Sequence, residues 1–427
     1  MQSHGGVPGR RHWWAGVLLC SVLVPAPAGA QTPPAGAVVD LTVADQPMIW
    51  RADLFRSLAA LAVASGDRAL SRVEAAEFRK PTGRGRMLRA AKLGAVDVPV
   101  ASFFVSWNHE YGHVARATER GVRTSLKVVG TPWSATRFSL EPDLSVYPAF
   151  ADGLLEFDLA LEGGGLEASW TLKDRAERRV ITAERRDVGE ALVTVMATLN
   201  TPLYAIWNLH REHVVGDPFG DLARYLDRAV AERLLAGQLT DGVPGNTRLT
   251  IMDRTRHRAL LNFVDYGLWS AAAGILVDHV WNGETTIRQA WLNAGRVRVV
   301  PSLRYALTPD GPELSVRSHY AVEDHSGTVY VSRTEPTGHP GGVGFGGTWA
   351  TMVGRDVLLR AGMDHWRSAG QPWRGRIEIE TVVSGGPFGS RLGPLAMLLG
   401  AKTSGSLPGL STERGIYAAV SVGLVTW

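Results

Sequence analysis

Residues 98–113 read VPVASFFVSWNHEYGH, an apolar stretch that ends in an HExxH motif. On an α-helix, positions i and i+4 share a face, so His109 and His113 can bind one metal ion together. Glu110 is placed to take a proton from a water molecule at such a site. Apolar residues before the motif favour a buried helix over a solvated one. The stretch therefore predicts a zinc site inside a helical core.

The region around this motif is predicted to be helical, with one interruption. We expect a helical domain over residues 53–292, and Gly121 is a natural C-terminal residue for the motif helix. Between about 122 and 185 the pattern changes to short alternating segments, and Gly163–Gly165 separates two of them. We therefore predict a small sheet inserted at about 122–185.

The last 135 residues, 293–427, have a different character. They contain eight short alternating segments joined by turns such as Pro309–Pro312, which predicts about eight antiparallel strands. The fold class is therefore α+β, a helical domain followed by an antiparallel β-domain. An exported chain that ends on the aromatic residue Trp427 favours a β-barrel of the outer membrane, although a soluble sandwich or barrel fits the same strands.

The N-terminus reads as a targeting segment. Residues 1–30 contain Arg10 and Arg11, an apolar run and a small-x-small site before Gln31, which predicts a signal peptide. Residues 31–52 are rich in Pro and Ala and are predicted to form an extended leader. Two later apolar stretches, 191–209 and 260–277, are almost long enough to span a bilayer, so an inner-membrane location is the alternative to the periplasm or outer membrane.

Composition narrows the chemistry. The formal net charge is +4 at pH 7, and no long basic run is present, so a nucleic-acid partner is not expected. Cys20 is the sole cysteine and lies in the predicted signal peptide, so neither disulfides nor cysteine ligands are expected in the mature chain. Any metal must be bound by His, Asp or Glu.

A zinc site of this type needs a third protein ligand. Asp265 is our first choice, because a carboxylate flanked by apolar residues is costly to bury without a partner. Glu190 is an alternative, although its place at the start of a predicted helix is explained by capping. His210 and His213, three residues apart, are the remaining candidates.

The motif and its surroundings resemble the site-2-type intramembrane metalloproteases. The likeness consists of the HEYGH motif at 109–113, Ala115–Arg116, and the exit Gly121–Val122–Arg123 followed by strands. In that family the third ligand is an Asp in a later apolar helix, and residues 264–267, with Asp265, are a loose counterpart. The predicted signal peptide and strand-rich C-terminal region differ from that family, so the wider zincin metallopeptidase grouping is the better description.

These observations predict an exported zinc metallopeptidase with a peptide or protein substrate and a membrane-attached β-domain. Glu110 would be the general base, and His109, His113 and Asp265 the metal ligands. Arg116 or His213 could stabilise an oxyanion, residues 216–221 could line the site, and Gly112 would allow another element to approach closely. Three alternatives remain: a non-enzymatic barrel protein with a structural or transport role, an inner-membrane protease of the site-2 type, and an iron site that gathers His210 and His213 as well. The sequence does not determine the oligomeric state.

Overall fold

Most of the described residues from Pro47 to Trp281 are helical, and strands predominate in the described residues from Thr286 to Val425. In this computed structural model the described residues are 38–44, 47–73, 75–119, 121–134, 137–142, 154–182, 185–211, 248–308, 311–335, 341–354, 357–368, 372–383, 392–404 and 414–425. All belong to one compact unit, Gly36–Trp427, which contains both regions predicted as domains. The predicted signal peptide and Trp427 lie outside the described residues.

The described residues of the helical part form eight α-helices, two π-helical segments and one 3₁₀ segment. The α-helices are α1 (Pro47–Val73), α2 (Ala75–Phe78), α3 (Gly83–Lys92), α4 (Val98–Glu119), α5 (Leu154–Thr182), α6 (Val188–Arg211), α7 (Arg248–Ala259) and α8 (Tyr266–Gly274). Two π-helical segments, Leu93–Asp97 and Ile275–Trp281, and the 3₁₀ segment Leu260–Val264 complete the described helical residues. Val63, Ala101, Leu192 and Leu268 form part of a core shared by α1, α4, α6 and α8.

Among the described residues, ten strands form the main sheet. They are β1 (Val38–Ala44), β6 (Leu292–Ala294), β7 (Val297–Thr308), β8 (Gly311–Val322), β9 (His325–Thr334), β10 (Gly342–Val353), β11 (Val357–Ser368), β12 (Arg374–Val383), β13 (Leu392–Lys402) and β14 (Gly415–Val425). Their order is β1-β14-β13-β12-β11-β10-β9-β8-β7-β6. Two small pairs stand apart, β2 (Thr124–Val129) with β3 (Arg137–Pro142) and β4 (Arg185–Asp187) with β5 (Thr286–Arg288).

The predicted α+β class and C-terminal antiparallel sheet are confirmed. Strands β7 to β14 occupy the eight segments that alternate in the sequence, and each pairs with its neighbour along the chain. The described sheet has two ends, β1 and β6, so closure into a barrel stays a prediction. Residues 38–44, predicted as part of an extended leader, instead form β1, which pairs with β14 from Val38↔Val425 to Ala44↔Ala419.

The predicted inserted sheet at 122–185 is wrong over most of its length. Of its described residues, 124–129 and 137–142 form β2 and β3, whereas 154–182 are the long helix α5. This helix is buried on nearly every side from Ala160 to Glu177, so its apolar residues have no single face and give no helical period. The charged residues between them form ion pairs inside the fold. The helix therefore lacks the solvent-exposed polar face from which a helix is usually predicted.

The apolar stretch 260–277 is not one continuous α-helix. Asp265 has an extended backbone, with φ −64° and ψ 121°, between the 3₁₀ segment and α8. Its side chain caps α8 by accepting a hydrogen bond from the Leu268 backbone N–H at 2.7 Å. The break therefore comes from helix capping by an internal carboxylate.

The sheet is curved around α5. Asp174 of α5 accepts a hydrogen bond from Arg317 of β8 at 2.6 Å, and Arg178 donates to Glu378 of β12 at 3.1 Å. In a flat sheet, strands β8 and β12 would lie about 19 Å apart, at about 4.8 Å per strand. Side chains of a single helix reach both strands, so the sheet must bend around it.

The two faces of this sheet have inverted polarity. On β12 the charged residues Arg376, Glu378 and Glu380 are buried towards α5, whereas Ile377 and Ile379 are 62% and 58% exposed. The same holds on neighbouring strands, where the exposed outward residues include Val329, Val331, Val343, Phe345, Trp349, Met363, Met397 and Leu399. The sheet therefore presents an apolar outer surface and a charged interior, the reverse of an ordinary soluble sheet.

No one helix of the described chain is sufficiently long and apolar to cross a membrane alone. The segments Arg254–Val264 and Tyr266–Trp281, bent by 46° relative to each other, reach that length and composition only as a pair.

Candidate metal centre

The HExxH motif lies in the middle of α4, on the face that packs against α5. His109 and His113 are each 2% exposed, and their ring centroids are 5.2 Å apart. A Cβ atom placed on Gly165 of α5 would lie 2.5 Å from His109 Nε2 and 2.6 Å from His113 Nε2. The two Nε2 atoms therefore converge on one point at Gly165, as the i, i+4 spacing predicts.

The other ring nitrogens bind fixed partners. His113 Nδ1 lies 2.6 Å from the Leu161 carbonyl oxygen, which can only accept, so Nδ1 donates and Nε2 keeps its lone pair. His109 Nδ1 lies 3.0 Å from Nδ2 of Asn200, and that amide also donates to Ser169 Oγ at 2.6 Å. With the amide in this orientation the His109 proton sits on Nε2, and rotating the amide would move it to Nδ1. His113 is thus in the tautomer that binds a metal through Nε2. His109 adopts the same tautomer when the Asn200 amide is rotated.

Glycines allow this close packing of α4 and α5. A Cβ on Gly112 would lie 2.0 Å from the Gly164 carbonyl oxygen, and one on Gly164 would lie 2.7 Å from the Gly112 carbonyl oxygen. Only hydrogen fits at either position, so the close approach predicted at Gly112 is observed. The run Gly163–Gly165, interpreted as a break between strands, is instead part of α5, and its residues Gly164 and Gly165 face the motif helix.

Substituting Gly112 by Ala should lower the free energy of unfolding by about 1–3 kcal/mol, because a backbone carbonyl cannot move aside as a side chain can. Gly94→Ala is the control, since Gly94 lies in the π-helical segment Leu93–Asp97 and a Cβ there meets no atom within 4 Å. Urea unfolding of both variants measures the difference. Equal stability of the two variants would contradict the observed packing.

The structure does not bring Asp265 to the motif histidines. Its carboxylate is 0% exposed and accepts hydrogen bonds from Lys173 Nζ at 3.0 Å, Ser302 Oγ at 2.6 Å and the Leu303 N–H at 2.9 Å. Lys173 lies eight residues beyond Gly165 on α5, or about 12 Å at the helical rise. These partners offset the free-energy cost of burying the Asp265 carboxylate. The position of Asp265 does not support the prediction that it is the third metal ligand.

Glu190 is also held elsewhere. It pairs with Arg56, and Arg179 lies 3.5 Å away, while Asn200, which contacts His109, is ten residues further along α6. The side chains of His210 and His213, and residues 216–221, lie outside the described part of the chain. Glu110 is half-buried.

Arg116 lies near His113 on α4 but is engaged by acids. Its guanidinium pairs with Glu167 of α5 and donates to Glu119 at 2.8 Å, and it is 1% exposed. Burial alone would lower the Arg116 pKa, but the two carboxylates outweigh it and hold the pKa above its usual value. This ion pair ties α4 to α5 one turn from the motif, which does not favour the oxyanion role considered for Arg116.

A second group of possible ligands lies elsewhere in the helical part. Among the described residues, only Asp67, Asp97 and His279 form a trio of potential ligands whose ligand atoms lie within 4.8 Å of one another. Sequence reasoning missed this group because its members lie on three distant segments and match no spacing motif. Asn200 and Leu161, which bind the motif histidines, were missed for the same reason.

The described residues also form a polar cavity between α5 and the sheet. Asp174, Arg317, Tyr330, Asp364 and Arg376 are among the residues that line it, and none of the motif residues does. Comparison with protein-family models, curated proteins and solved structures finds no match to this chain.

Proposed function

We propose that this protein is an exported zinc metallopeptidase whose metal is held by the two histidines of α4. One observation carries the proposal: the Nε2 atoms of His109 and His113 converge at Gly165 while both Nδ1 atoms are bound by neighbouring groups. Ligand histidines in zinc proteins have this arrangement, in which the second nitrogen fixes the orientation of the ring. A third protein ligand is not found among the described residues.

Each residue of the site would have a distinct role in hydrolysis. His109 and His113 would hold the ion, which would supply Lewis acidity and activate water. Glu110, next to the first ligand, would take the proton from the attacking water and return it to the leaving amine. Asn200 would fix the tautomer of His109 by accepting from Nδ1 in its rotated orientation. Since both rings are buried beneath Gly165, a peptide reaches them only when α5 moves away from α4.

Metal analysis tests the zinc site. After removal of metal and dialysis against zinc, the wild-type protein should hold an amount of zinc that His109→Gln and His113→Gln each reduce by one equivalent. His257→Gln is the control, since it makes the same change on α7, outside the motif. Equal zinc content in all four proteins would contradict the proposal.

We further propose that the strands form a membrane-embedded barrel of the outer-membrane type. The supporting observation is the inverted sheet, with Ile377 and Ile379 exposed and Arg376, Glu378 and Glu380 buried. Strands of 10 to 12 residues, such as β12 and β10, match the roughly 9–11 residues that a tilted strand needs to cross a bilayer. A non-enzymatic barrel protein remains the second candidate, and the same observation favours it.

Reconstitution into phosphatidylcholine vesicles tests the membrane attachment. Ile379→Arg should lower the stability of the vesicle-bound protein by about 2–4 kcal/mol, the cost of a charge near the bilayer midplane. Val129→Arg is the control, because Val129 is 67% exposed but lies on the separate β2–β3 hairpin. Membrane attachment through the sheet is wrong if urea unfolding from vesicles shows the same stability for both variants.

A further inference from the structure

The two π-helical segments of the described chain each contribute a residue to the same group of potential metal ligands. Asp97 ends the segment Leu93–Asp97, and His279 lies in the segment Ile275–Trp281. π-Helical turns account for well under 1% of residues in proteins and occur frequently at functional sites. Here both contribute a potential metal ligand to the same group, which Asp67 of α1 completes.

Two ligand atoms of this group are buried without a hydrogen bond. His279 is 1% exposed and Asp97 0% exposed, and among the described residues neither His279 Nε2 nor Asp97 Oδ2 has a hydrogen-bond partner. His279 Nδ1 lies 2.9 Å from the Glu284 carbonyl oxygen, so it donates and leaves the Nε2 lone pair available. A buried nitrogen lone pair and a buried carboxylate oxygen that both lack donors are the condition a cation would satisfy.

Lys92 compensates only part of the negative charge of this group. Its ammonium lies 2.5 Å from Asp97 Oδ1 and 2.8 Å from Asp67 Oδ1, which neutralises one of the two carboxylates. Arg89 is near, but it donates to the backbone carbonyls of Val280, Phe78 and Lys80. Burial raises the pKa of Asp97 despite the nearby Lys92, and burial also lowers the pKa of His279. The carboxylate pair therefore lacks full compensation from the cations in contact with it.

We propose that Asp67, Asp97 and His279 form a second metal site, specific for a divalent transition metal ion such as zinc. The ion would bind Asp97 through Oδ2 and His279 through Nε2, with Lys92 remaining on the opposite oxygen of Asp97. The ligand set of two carboxylates and one imidazole suits zinc or manganese and contains no sulfur. By joining α1 to the π-helical segments Leu93–Asp97 and Ile275–Trp281, the ion would stabilise the helical part independently of the HExxH motif.

The full-length His109→Gln/His113→Gln variant isolates this site. After metal removal and dialysis against zinc, this variant should keep one equivalent of zinc, and adding Asp97→Asn and His279→Gln should remove it. Asp278→Asn is the matched control, because Asp278 lies on the same π-helical segment but accepts from the Arg288 N–H at 2.8 Å. This control should keep the equivalent of zinc.

The outcomes separate this proposal from the proposed peptidase site. A His109→Gln/His113→Gln variant without zinc overturns the second site and leaves the first untouched. Zinc that survives Asp97→Asn and His279→Gln also overturns it. If those added substitutions prevent folding, Co²⁺ loaded into the folded double variant decides: a hyperfine-shifted, exchangeable imidazole N–H resonance supports His279 as ligand, and no such resonance contradicts it.

Discussion

Replacing Glu110 by Gln should reduce peptide hydrolysis by about 10²–10⁴-fold while the zinc content stays at the wild-type value. The amide keeps the size of the carboxylate but cannot accept a proton from water, so the loss should appear in kcat. The measurement is turnover of a library of quenched fluorescent peptides by the zinc-loaded protein, alongside metal analysis of the same samples.

Glu141→Gln is the control for this substitution. It makes the same chemical change on the β2–β3 hairpin, where Glu141 forms an exposed ion pair with Lys127 at 2.7 Å. Wild-type turnover is expected of this control. Undiminished turnover by Glu110→Gln, or no turnover by zinc-loaded wild-type protein, would contradict a peptidase and favour the non-enzymatic alternative.

Replacing Arg116 by Met should lower the free energy of unfolding by about 3–5 kcal/mol. The substitution leaves Glu167 charged and 0% exposed between α4 and α5, where water cannot replace the lost guanidinium. The double variant Arg116→Met/Glu167→Gln should recover much of this loss, since no buried charge is then left unpaired. Urea unfolding monitored by circular dichroism measures all three proteins.

An exposed ion pair provides the comparison. Lys127 and Glu141 are 62% and 52% exposed, so Lys127→Met should cost no more than about 1 kcal/mol. If Arg116→Met is as mild as Lys127→Met, the α4–α5 contact is not stabilised by this ion pair.

Local pattern accounts for the parts of the fold that the sequence predicts well. Strands such as β12 alternate between an outward apolar residue and an inward polar residue. This period of two comes from the pleat of a strand and does not depend on what the sheet packs against. The motif helix α4 is similarly determined, because a residue spacing of four places two imidazoles on one face of any helix. Both predictions rest on geometry within a single element.

Helix α5 could not be predicted in the same way. Its buried charges, among them Glu167, Lys173 and Asp174, are compensated by residues from α4, α8 and the sheet that are distant in sequence. Without those partners, the same residues indicate exposed positions and hide the helical period. The prediction of strands there failed because the pairing, rather than the apolar pattern, determines what is buried.

The sequence by itself determined the α+β class, the eight C-terminal strands and the two imidazoles on one face of α4. Only the tertiary structure placed Gly165 at their Nε2 atoms, assigned Asp265 to the cap of α8, and gathered Asp67, Asp97 and His279. The physical reason is that a ligand set depends on distances between segments, which no local period encodes. Hydrogen-bond partners for buried polar atoms are likewise chosen by packing, as Asn200 at His109 illustrates.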